Sequence, residues 1–113
     1  MPVAESVRFV ARPEHIVAAY EVRERVGSDA ELFRALAKAM EFGEEFGENW
    51  DALIDSLRDV PPKQDDTVTL MLHGAEELWK TAPRVMGRLV EIWLLVAEDM
   101  STEGVEYRLV FVW

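Results

Sequence analysis

The chain has 113 residues and no cysteine; half of its residues are hydrophobic, 30% are charged, and 22 acids against 12 bases give a formal net charge of −10. A domain of this size closes one core without metal or disulfide, and the lack of cysteine excludes disulfides and thiolate metal sites. A pI near 4.6 argues against nucleic acid and anionic membrane surfaces as partners, because phosphate contacts need an excess of Lys and Arg. No apolar h-region opens the chain, and the longest apolar run, residues 92–97, is far short of a membrane span. The expected location is cytoplasmic.

Residues 1–16 read as an N-terminal arm or an edge strand, with residues 6–10 able to form a short strand that Arg12-Pro13 breaks. His15 and Ile16 lead into a strand over residues 17–22, rich in branched and aromatic side chains. Ser28-Asp29-Ala30-Glu31 is a capping box that opens a helix to about Met40, its buried face formed by Leu32, Leu36 and Met40. After the segment 42–59, Pro61-Pro62 stops the chain. Residues 67–72, TVTLML, then read as a strand buried on both sides. A short helix over 75–81 and a longer one from Pro83 to about Met100 follow, the second with Val85, Met86, Leu89, Val90, Trp93, Leu94 and Ala97 on its apolar face. Residues 105–112 form the last strand. The order β-α-α-β-α-α-β, with long crossovers, predicts a small α/β domain: a three-stranded parallel sheet with packed helices.

The segment 42–59, FGEEFGENWDALIDSLRD, carries the strongest signal. Asn49 has the side chain of a helix N-cap, and Gly47 suits a turn that needs φ > 0. Trp50, Leu53, Ile54 and Leu57 share one apolar face at i, i+3, i+4 and i+7, while Asp51, Asp55 and Asp59 line another at i, i+4 and i+8. Like charges at this spacing cost an isolated helix about 0.2–0.5 kcal/mol per pair, and only Arg58 is placed to offset them. From Glu41 to Asp59 there are seven acids and one base, a net −6 in 19 residues. Solvated helices normally interleave signs; a one-signed face points to a basic partner.

The run Phe46-Gly47-Glu48-Asn49-Trp50-Asp51-Ala52-Leu53, followed by Asp55 and Leu57, resembles the signature of the barstar family, intracellular protein inhibitors of ribonucleases. The order of elements is similar from residue 17 to the end, giving a barstar-like domain over 17–113. The resemblance implies an acidic helix and loop that plug the basic active site of an extracellular-type ribonuclease in a 1:1 complex, carboxylates standing in for RNA phosphates. It implies that Asp55 enters the phosphate-binding pocket and pairs with a catalytic Arg, Lys or His, and that Asp51 is a second contacting acid. It further implies that Gly47 and Asn49 shape the loop, that Glu45, Phe46, Ile54 and Asp59 belong to the contact surface, and that Asp99, or its neighbour Glu98, supplies an acid from the last helix. Glu45, Ile54 and Val60 stand where the family has aromatic contact residues. The electrostatic half of the interface is thus kept and the aromatic half altered, which leaves the target open between a barnase-like enzyme, another ribonuclease and a related toxin.

Other chemistry finds less support. Asp51 and Asp55 as D-x-x-x-D can bridge a divalent cation, but such sites take further oxygen ligands from another element, and no second acidic motif of that quality is present; no cofactor is expected. His15 and His73 have no metal-ligand spacing, and neither accompanies a Ser or Cys nucleophile in a recognisable turn. Trp50 and Trp93 fit a core role. Two rivals to an inhibitor therefore remain: an acidic module for some other basic protein, and a metal-dependent hydrolase built on Asp51 and Asp55.

Overall fold

The computed structural model describes residues 6–113; the first part of the N-terminal arm, residues 1–5, lies outside them. In chain order the elements are β1 (Val7–Val10), β2 (Tyr20–Val22), α1 (Asp29–Ala39), α2 (Trp50–Arg58), β3 (Thr67–His73), α3 (Ala75–Thr81), α4 (Pro83–Ser101) and β4 (Glu106–Val112). All pairings in the sheet are parallel, in the order β1-β4-β3-β2. The sheet thus has four strands where three were expected. The extra one, β1, is a four-residue edge strand whose Val7 lies level with Leu109. So short a run of VRFV carries no periodic signal of its own; pairing with β4 decides its conformation.

The register sorts the side chains into two faces. Val7, Leu109, Leu70 and Tyr20 form one row across the sheet, and Phe9, Phe111, Leu72 and Val22 the next. On this face lies the core, which also takes Leu32 and Leu36 of α1, Leu53 and Leu57 of α2, Leu78 of α3, and Met86, Leu89, Ile92, Trp93 and Val96 of α4. All four helices therefore cover the same face. The opposite face carries Arg8, Glu21, Thr67, Thr69, Met71, Glu106, Arg108 and Val110, and is partly roofed by residues 15–18.

That roof is the connection from β1 to β2, which runs behind the sheet from one edge to the other. Successive strands β2, β3 and β4 step one way with helices in front; β1 to β2 steps the other way with its link behind. Reversing both direction and face keeps the same hand, so one rule governs every crossover. The strap also explains why β2 starts at Tyr20 rather than residue 17. Val17 is exposed and Ala18 takes φ 57°, a left-handed turn that a strand does not accommodate.

The helix starts follow their sequence signals. Ser28 Oγ accepts from the Glu31 backbone N–H at 3.2 Å, while the Glu31 carboxylate reaches back to the Gly27 N–H at 2.7 Å, one residue before the position a strict capping box would use. Pro83 opens α4 as its first residue. Among the described residues, no helix is long and apolar enough to cross a membrane.

Candidate functional site

The loop before α2 is held by its aromatic residues. Helix α1 is capped by Met40, Glu41 follows at φ 57°, and the Phe42 N–H bonds back to the Ala37 carbonyl at 2.9 Å. This is a Schellman closure with Glu in the position usually taken by Gly. A tight turn places the Phe46 N–H 3.1 Å from the Gly43 carbonyl. Phe42 and Phe46 pack edge-on at 5.0 Å, and Phe33 meets Phe46 at 6.2 Å and Trp50 at 5.0 Å. Such pairs contribute about 0.5–1.5 kcal/mol each beyond area burial, so a loop of acids is pinned by four rings facing inward.

The turn into α2 differs from the expectation in one respect. Glu48, at φ 50°, takes the left-handed conformation, and Gly47 does not. Gly47 serves through its size: a Cβ there would come within 3.2 Å of the Asn49 Nδ2 and 3.5 Å of the Ala52 Cβ. That space lets the Asn49 side chain fold over the helix start. Its Oδ1 accepts from the Ala52 N–H at 2.8 Å and its Nδ2 donates to the Gly47 carbonyl at 3.2 Å, satisfying one of the orphan donors of the first turn.

Helix α2 buries Leu53 and Leu57 completely, with Trp50 and Ile54 half-buried beside them. Full burial of a leucine stabilises the fold by about 1.5–3 kcal/mol. Trp50 donates Nε1–H to Asp29 at 3.2 Å and lies under the Arg88 guanidinium of α4, 5.7 Å from its ring centre. At the other end two tyrosines of the sheet hold the exit. Tyr107 donates its hydroxyl to the Leu57 carbonyl and Tyr20 to the Pro61 carbonyl, each at 2.5 Å. Burial, with Asp59 and then Tyr20 adding to it, pushes the Tyr107 phenol up to about 12; burial and then Glu41 raise Tyr20 as well. Sequence reasoning missed both tyrosines, because strand residues 41 and 50 positions from their partners give no local sign that they reach the exit of a helix.

The outward face of this unit is acidic except for Arg58. Glu41, Glu44, Glu45 and Glu48 in the loop and Asp51, Asp55 and Asp59 on the helix are all exposed. Among the described residues, none of the seven carboxylates makes an ion pair. Arg58, which the sequence places to offset Asp55, is turned instead to Asp99 on α4, with which it forms an ion pair. Of the positions the resemblance singles out, Asp51, Asp55, Asp59 and Glu45 thus share one solvent-facing surface. Phe46 and Ile54 sit half-buried beneath it, and Gly47 and Asn49 shape its turn. Asp99 lies beside the C-terminal end of α2, already engaged. Val60 is only 5% exposed and belongs to the core.

The histidines are separate from this surface. His73 Nε2 lies 2.8 Å from Glu21 Oε1 at the far ends of β3 and β2, and Arg23 shares that carboxylate. Among the described residues no three His, Cys, Asp or Glu side chains come together as a metal site, which leaves the D-x-x-x-D pair without the further ligands a hard cation takes.

Together these features define a parallel α/β domain with helices on one face and, on their outside, a surface of exposed carboxylates interrupted by Arg58. The family model described as barstar (barnase inhibitor) matches residues 18–112. The chain belongs to the barstar family, whose members are inhibitors rather than enzymes. No curated protein matches it individually.

Proposed function

We propose that this chain inhibits a ribonuclease by laying α2 and the preceding loop across the enzyme's basic active site, where its carboxylates take the place of RNA phosphates. The observation that carries this reading is the row of exposed carboxylates without an internal cation on a helix and loop that are otherwise tightly held. Leaving them unpaired costs the free protein stability through repulsion, and a basic cleft removes that cost on binding. Asp55 and Asp51 are the central acids, with Glu45 and Asp59 at the flanks. Phe46, Gly47, Asn49 and Ile54 fix the shape on which the acids stand. The partner is a basic ribonuclease of the secreted type, bound 1:1, and the inhibitor acts in the cytoplasm. Membership of a family described as barnase inhibitors supports the same assignment.

The test is RNA cleavage by purified small basic ribonucleases with and without the protein, followed by titration of Asp55→Ala. The variant is expected to lose about 2–5 kcal/mol of binding, chiefly through faster dissociation; barnase–barstar is the example from which that range is drawn. Equal binding by the variant removes Asp55 from the centre of the interface. Complexes that form equally well on a ribonuclease whose cleft is blocked by a nucleotide point instead to a general acidic docking module.

A further inference from the structure

Arg58 interrupts the acidic surface. It falls seven residues after Asp51, two turns down the same line of α2, and three after Asp55. Two contacts show how α2 lies on α4: Arg88 over Trp50 near the start of α2, and Asp99 against Arg58 at its end. The two helices therefore run side by side in the same direction. This packing brings the last turn of each together and aligns the only base in residues 41–59 with an acid of α4. Arg58 and Asp99 stay 41% and 48% exposed in their side chains, so the pair stands at the surface and not within the core.

We propose that Arg58 is a specificity-determining residue of the recognition surface, an inference that rests on the ribonuclease-inhibitor reading. By engaging Asp99 it withdraws the acid of α4 from the partner and sets a guanidinium at the C-terminal end of the carboxylate row. The surface is thereby divided. Its loop half and first two helical turns, from Glu44 to Asp55, are uncompensated and negative; in its last turn Arg58 and Asp99 cancel one another and leave Asp59 as the single uncompensated acid. A ribonuclease that fits has its positive potential concentrated opposite the first half and presents no cation of its own opposite Arg58. An enzyme whose basic surface extends further meets like charge at Arg58, and such juxtaposition is how interfaces exclude wrong partners.

The experiment is a double-mutant cycle of Arg58→Ala and Asp99→Asn, titrated against a panel of purified small basic ribonucleases that includes barnase, with Asp55→Ala as reference. The double variant is expected to bind within about 3-fold of the parent, and Asp99→Asn alone to bind more weakly, because Arg58 is left bare. Arg58→Ala alone frees Asp99 and is expected to tighten binding by about 5-fold or more, and to widen the range of enzymes bound. Arg58→Ala that leaves both the affinity and the range of enzymes bound unchanged overturns the proposal, since Arg58 then excludes nothing. The same four proteins in urea supply a readout that needs no enzyme. Coupling between the two sites that vanishes at high salt supports the pair, and zero coupling overturns it. Coupling present with no ribonuclease bound by the parent identifies the inhibitor reading, not the pair, as the failed step.

Discussion

Asn49 ties the stability of α2 to the placement of Asp51 through one side chain. Its amide oxygen closes the first turn of α2, and that turn carries Asp51. Asn49→Ala removes the cap, and an N-cap of this kind contributes about 1 kcal/mol. The expected outcome is a urea midpoint lowered by that amount, together with weaker ribonuclease binding than the stability loss alone would give, because Asp51 then samples a frayed turn. Binding unchanged at full stability loss separates the cap from the interface. The residue that stood out in the sequence for its conformation was Gly47, yet Glu48 holds the positive φ. A glycine can be required for lack of bulk as well as for dihedral freedom, and the letters do not say which. Likewise Arg58 is three residues from Asp55 but pairs with Asp99, since the neighbour that decides lies on another helix.

Helix α2 was legible almost completely. Its apolar spacing, its Asn cap and its acidic stripe are local, and each appears in the structure where the spacing puts it. The same holds for α1, α4, β3 and β4, which are long or strongly patterned. Less was legible where pairing at a distance decides: residues 6–10, read as part of an arm or an edge strand, form the edge strand β1 beside β4, and residues 15–18, branched enough for a strand, are used as the strap behind the sheet. The closure of α1 offers a test at this scale. Glu41 occupies a left-handed position where Gly is preferred, which costs about 1 kcal/mol, and it adds to the acidic surface. Glu41→Gly is expected to raise stability by about 0.5–1 kcal/mol while slowing association with a basic ribonuclease. Calorimetry and stopped-flow on one sample check both signs. A variant no more stable than the parent shows that the closure carries no strain.

For the whole molecule, charge sets both its approach to a partner and its alkaline limit. With a net −10, association with a basic enzyme is expected to slow steeply as salt rises while dissociation changes little; a salt-independent on-rate would count against electrostatic steering. The Tyr107 phenol is pushed from its ordinary 10.0 up to about 12 in the folded protein, so below pH 10 both states are protonated and nothing is lost. Between the two values unfolding releases a proton, and stability falls as pH rises, by about 1.4 kcal/mol per unit and ~2–3 kcal/mol in all. Tyr107→Phe reduces the alkaline slope to what Tyr20 contributes, and it also costs stability at neutral pH, because the Leu57 carbonyl loses its donor. A parent stability flat from pH 10 to 12 contradicts the assignment. The position of β4 has a consequence for biosynthesis. The last strand in chain order lies inside the sheet, between β1 and β3, so a nascent chain halted at Gly104 leaves β1 without a neighbour and β3 open on one side. Leu57 then also lacks the hydroxyl that ends the acidic helix. The carboxylate face of α2 is therefore held at both of its ends only once β4 is in place.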